Sequence, residues 1–251
     1  MKTKQLIVLL LLSLALASCG GGGGGDGDAE TPQPDPGSGD ETVTFPKEIS
    51  LSSFTGSATI NEGTLRTTRF SSVNISTKRA RSRTTVNVAA GGETISAKSF
   101  LRAQFTAKRP TATLHTNMRW KGTLLSSINL SASTEMRVTL RVREVTSTGS
   151  LGSEVFSQQL ERDGIGSGLK SVEILNVNDN VNRGFQLNLI EGRQYRAEVE
   201  LECRLKVDGI SLALIDCNAE SDDRGVYITS MSVEWDIGTC PAGDTRTGCV
   251  N

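Results

Sequence analysis

The chain has 251 residues, 27 basic and 28 acidic side chains, one histidine and a formal net charge of −1. Its 36% hydrophobic content excludes a polytopic membrane protein and a wholly disordered chain, and glycine without a Gly-X-Y period excludes a collagen-like fibre. With His115 as the only histidine, the composition also argues against mechanisms built on histidine ligands or a histidine base.

The first element is a leader. Lys2 and Lys4 precede an apolar run from Leu6 to Ala17, too short to span a bilayer about 30 Å thick. The run ends in Leu16-Ala17-Ser18-Cys19 followed by Gly20. This ending resembles the lipobox of bacterial lipoproteins. The resemblance implies a signal peptide over 1–18, cleavage before Cys19, and palmitate-type acylation of Cys19 as a membrane anchor. Gly20 in place of Asp implies, by the family's sorting rule, the outer membrane.

Residues 19–45 read as a tether. Six glycines, Gly20 to Gly25, lead into a proline-containing stretch with six acidic and no basic side chains. Such a segment cannot repay its ordering entropy and is expected to be a disordered linker with a span of roughly 30 Å. Similar glycine-rich tethers occur in surface-displayed lipoproteins, which points to the cell surface.

From residue 46 the dominant pattern is alternation with period 2. It predicts strands over 84–90, 94–107, 111–120, 124–132, 136–143, 154–161, 171–177, 184–190, 195–207, 210–217 and 231–235. Gly91-Gly92, 146–153, 163–168 and Asp208-Gly209 supply turn signals. Many short strands with one polar face predict an all-β, antiparallel sandwich or jelly roll, taken as one domain over 46–251. Leu189, Gly192 and Tyr195 form an L-x-x-G-x-x-Y run that resembles the corner entering a strand in sandwiches such as fibronectin type III. The resemblance implies a tyrosine hydroxyl bonded to upstream backbone.

Four further cysteines, Cys203, Cys217, Cys240 and Cys249, read as two disulfides in an oxidising compartment, and proximity favours Cys203–Cys217 and Cys240–Cys249. A two-residue hairpin at Asp208-Gly209 conflicts with the first pairing, since it sets Cys203 opposite Leu214 and leaves Cys217 on the other face. A four-cysteine zinc site lacks the C-x-x-C spacing.

Charge is unevenly spread. Residues 66–121 hold twelve basic side chains and one acid, while 122–251 hold twelve basic and nineteen acidic. The densest cluster is Lys78, Arg79, Arg81 and Arg83. In an extended strand its arginines share a face about 7 Å apart, suited to phosphates or carboxylates of an envelope or host polyanionic glycan. The alternative is internal pairing with acidic strands such as Glu198, Glu200 and Glu202. No aromatics interleave with the basic residues, so nucleic acid is not an expected partner.

No serine-hydrolase, zincin or phosphate-loop motif occurs. Glu200 and Glu202 are a nominal carboxylate pair for a glycosidase. No cofactor is expected; calcium is the alternative to none, through 176–180 or the run Asp216, Asn218, Glu220, Asp222 and Asp223. Trp120 and Trp235 fall in phase with core positions. The leading expectation is a non-enzymatic binding or adhesion module on the envelope, with a structural lipoprotein and a hydrolase as alternatives.

Overall fold

The computed structural model describes residues 47–61, 67–86, 92–127, 132–168, 172–208 and 214–236. The leader, Cys19, the tether, Cys240 and Cys249 lie outside the described residues. Twelve strands are described: β1 (Glu48–Ser50), β2 (Phe54–Ile60), β3 (Thr67–Asn74), β4 (Arg79–Val86), β5 (Gly92–Thr106), β6 (Thr111–Ser126), β7 (Ala132–Val145), β8 (Leu151–Ile165), β9 (Glu173–Asn188), β10 (Gln194–Asp208), β11 (Ile215–Ala219) and β12 (Gly225–Trp235).

They form two antiparallel sheets. One, sheet A, runs β3-β4-β11/β12-β6-β9, with β1 beside the far end of β12. The other, sheet B, runs β2-β5-β10-β7-β8. The pairs β4 with β11/β12, β5 with β10, β6 with β9 and β7 with β8 nest inside one another along the chain. That nesting is a long hairpin rolled into two facing sheets, a jelly roll, as alternation and turn spacing predict.

Alternation sets which side chains fill the interior. In β7, Met136, Val138, Leu140 and Val142 are buried while Arg137, Thr139, Arg141 and Arg143 face outward. In β10, Tyr195 through Val207 at odd positions enter the same core. Trp120 and Trp235 are buried, as their phase predicts.

Several boundaries differ from the alternation. Residues 111–120 and 124–132 are predicted as two strands, but β6 continues through Gly122 to Ser126. A Cβ at Gly122 would meet the Met136 sulfur at 2.5 Å, so a side chain there requires the buried Met136 to shift. Likewise 171–177 and 184–190 join in β9, because the polar Asn178–Asn182 stretch between them still pairs fully with β6. The glycines of 163–168 are read as a turn, yet β8 reaches Ile165. Strands β1 to β3 carry weak alternation and hold their places by pairing at sheet edges.

The Asp208-Gly209 conflict has a topological answer. Strands β10 and β11 are not a hairpin; they lie in opposite sheets. Cys203 and Cys217 both point inward and meet across the core as a disulfide, with Cα atoms 5.5 Å apart. Strands β11 and β12 run in the same direction along β6, as one strand interrupted by residues 220–224. The chain re-enters the sheet at Gly225, whose φ of +112° and 2.4 Å Cβ approach to the Ala80 carbonyl admit no side chain.

Candidate functional site

The outer face of sheet B carries a dense ladder of charged side chains. Strand β10 runs through its middle with Glu198, Glu200 and Glu202 pointing outward. The neighbouring strands present cations on both sides: Lys98 and Arg102 on β5, and Arg137, Arg141 and Arg143 on β7. Arg102 is bonded to Glu198, Arg141 to Glu200, and Lys98 Nζ lies 2.8 Å from Glu200 and 3.4 Å from Glu202. The three glutamates are thereby roofed by their partners and expose only 6%, 4% and 8% of their surface.

Electrostatics follow from this geometry. Burial pushes the Glu200 carboxyl up, but the Lys98 hydrogen bond and the Arg141 and Lys98 charges outweigh it and hold the carboxyl below its ordinary value. Burial also works against the Lys98 ammonium, and Glu200 and Glu202 overcome it, raising Lys98 above the usual lysine range. The Glu200 carboxyl is thereby held in its ionised form, the opposite of the raised value a glycosidase acid needs.

The face carries more cation than its glutamates neutralise. Lys98, Arg102, Arg137, Arg141, Arg143, Arg162, Arg196, Arg204 and Lys206 stand against Glu135, Glu154, Glu198, Glu200, Glu202 and Asp208, for a net +3. Two open recesses lie along it. One, about 420 Å³, has Lys98, Thr139, Arg141, Ser157 and Gln159 in its wall. The other, about 390 Å³, lies toward the Arg204 end between β7, β8 and β10, and shares Arg137 and Arg204 with the first. Together they make a cationic track with hydroxyl and amide groups along it.

The arginine row singled out from the sequence sits elsewhere, on the outer face of sheet A. Arg79, Arg81 and Arg83 do share a face of β4. Arg83 forks onto Asp216 at 3.2 and 3.1 Å, which raises the guanidinium above its ordinary value despite burial. Arg79 bonds the carbonyls of Ser221 and Arg224 and stacks on Tyr227 at 4.6 Å. Arg81 reaches the Glu220 carbonyl at 3.5 Å and Asp222 at 3.7 Å. Lys78 occupies the preceding turn at φ +49°, its ammonium 5.4 Å from the Phe54 ring. The row thus clamps the 220–224 excursion between β11 and β12. Of the acidic residues considered for calcium, Asp216, Glu220 and Asp222 pair with the row, while Asp223 is held down at about 2 chiefly by its 2.5 Å bond to Lys121. Among the described residues, no group of three or more histidine, cysteine or acidic side chains converges as a metal site.

His115 lies on the outer face of sheet A, its Nε2 2.8 Å from Glu234, whose carboxyl is lowered first by Lys47 and then by His115. At the entry to β10, the Ile190 N–H donates to the Tyr195 hydroxyl at 2.8 Å, and Gly192 takes φ +80° in the turn between them. The sheet B track is not apparent in the sequence, because its cations come from four separated strands. The signal that marks it is Arg196, Arg204 and Lys206 in phase with the glutamates of β10, which makes that strand basic at both ends.

No family model matches the chain, and no curated protein matches it. Among solved structures, similarity is found to the enzymatically active domain of tailspike protein 4 of bacteriophage CBA120, at 13% identity over 70% of this chain and 19% of that chain, TM-score 0.22. A study of carbohydrate-binding modules of the β-sandwich superfamily contributes another, at 17% identity over 64% and 56%, TM-score 0.22. The infectious bursal disease virus Gt strain structure gives a third, at 10% identity over 73% and 40%, TM-score 0.16. The chain therefore spans well under two thirds of each of these chains, and at such scores the likeness carries no functional assignment.

Proposed function

We propose that the protein is a non-enzymatic binding module, held at the bacterial envelope by an acylated Cys19, whose sheet B face takes an acidic polysaccharide. The observation that carries this reading is the net +3 surface with two confluent recesses. Guanidinium groups are suited to carboxylate and sulfate groups in bidentate geometry, and an extended chain fits an open track better than a closed pocket. Ion pairing in the face holds Glu200 ionised, which supports binding over acid catalysis.

The test is binding of the purified protein to polygalacturonate, heparin and neutral dextran at rising salt. Binding of an acidic polymer, weakened by salt and by Arg204→Glu with Lys206→Glu, supports the reading. Equal binding of dextran, or no loss in the double variant, overturns it. Anchoring is tested separately by palmitate-analogue labelling in cells, with Cys19→Ala expected to abolish the label.

A further inference from the structure

Within the 390 Å³ recess one carboxylate already sits among the arginines. Glu135, on the outer face of β7, is bonded by Arg137, lies 2.6 Å from the Arg162 Nε through its Oε1, and has the Arg204 Nη1 3.9 Å from its Oε2. Three guanidiniums from three strands converge on this single group, with Lys206 also in the wall. The other outward acids of the face differ. Glu200 and Glu202 line the neighbouring recess but expose only 5% and 11% of their side chains, and Glu198 8%, whereas Glu135 exposes 20%.

We infer that this cradle is a carboxylate subsite and that Glu135 is its internal occupant, displaced when the uronate carboxylate of an acidic glycan binds. The inference rests on the acidic-polysaccharide reading above and specifies where one acidic group docks. The chemistry is a planar carboxylate, because the present occupant is one: Oε1 engages Arg162 while Oε2 engages Arg137 and Arg204, a division across two coplanar oxygens. No bond is made or broken; one carboxylate leaves the guanidiniums for solvent and another takes its place. An internal competitor lowers apparent affinity by the fraction of time that the site is free, so a cradle occupied nine-tenths of the time binds about tenfold more weakly than an empty one.

The experiment measures oligogalacturonate binding to the full-length protein by calorimetry for wild type, Glu135→Gln and Glu154→Gln. The Glu154 variant removes the same charge from the same face, where that carboxylate is shared by Arg141 and Arg143 at 3.5 and 3.3 Å. We expect Glu135→Gln to tighten binding about five- to tenfold and Glu154→Gln to tighten it less than twofold. Thermal melting establishes that both variants are folded. Should Glu135→Gln prove unstable, Arg162→Gln provides the second arm and is expected to weaken binding at least fivefold. Equal gains in the two glutamate variants would reduce the effect to bulk charge and overturn the subsite. A gain with dextran sulfate oligosaccharides but not with oligogalacturonate would overturn the carboxylate assignment. Wild-type binding that Glu135→Gln leaves unchanged would overturn the inference alone, while silence from every variant would overturn the polysaccharide reading with it.

Discussion

Replacing Glu200 by Gln removes the charge at the centre of the sheet B ladder while keeping the side chain's shape. Glu200 exposes 4% of its surface, Lys98 lies 2.8 Å away, and Arg141 bonds its other oxygen. Breaking a fully buried pair costs about 3–5 kcal/mol, and an exposed one about 0–1 kcal/mol. Here the acid is buried but Lys98 and Arg141 retain 34% and 27% of their side-chain exposure. Each also keeps a second carboxylate, Glu202 at 3.4 Å and Glu154 at 3.5 Å. The expected cost is therefore intermediate, about 2 kcal/mol, or a fall in Tm of roughly 4–8 °C for a domain of this size. The pH dependence gives a sharper check. The folded carboxyl of Glu200 lies below its ordinary value of 4.5, so its contribution is present above that pH and is lost as pH falls through the folded value. Urea unfolding of both proteins from pH 7 to pH 3 should show a gap that closes on acidification. A gap under about 0.5 kcal/mol at pH 7, or one that widens toward pH 3, would refute the account of the ladder.

Reduction of Cys203–Cys217, or replacement of both by Ser, frees a loop with a sequence separation of 14 and is expected to cost about 3 kcal/mol by chain entropy, read as a lower urea midpoint with unchanged far-UV circular dichroism. Tyr195→Phe leaves the Ile190 N–H without its acceptor while the ring keeps its stack on Phe105 at 5.9 Å, so a loss of about 1–2 kcal/mol is expected in the same assay. Gly122→Val drives a side chain into the Met136 sulfur, and a loss of about 1–3 kcal/mol or more is expected from overpacking, seen as a lower Tm. Arg83→Ala removes the fork on Asp216 and loosens the 220–224 excursion; faster amide exchange at Ser221–Arg224 is the expected readout, with sheet B amides unchanged.

Much of the architecture is written in local alternation. Strands β7 and β10 declare themselves because every second side chain is apolar from Met136 to Val142 and from Tyr195 to Val207, and the phase of Trp120 and Trp235 places both inside. What alternation does not carry is pairing. The sequence makes Asp208-Gly209 a hairpin signal, yet β11 crosses to the other sheet, because the nested order of a jelly roll pairs it with β4 and β6. The charge clusters show the same limit. Lys78–Arg83 stands out because four of its six residues are basic, and the fold gives its arginines carbonyls and carboxylates at 216–224. Lys98, Arg137, Arg162 and Arg204 are far apart in the chain and come together through sheet register alone. The sequence offers Glu198, Glu200 and Glu202 as partners for the Arg79–Arg83 row, but the β5 and β7 cations cover them instead, a fact of side-chain length and strand order.

The measurement that bears most directly on the central claim is a chemical-shift map of the labelled protein titrated with oligogalacturonate. The account predicts that perturbations fall on the outer positions of β7, β8 and β10, centred on Arg137, Arg162, Arg204 and Lys206, and vanish at high salt. Perturbations confined to Arg79, Arg81 and Arg83 on sheet A, or to no face at all, would contradict it.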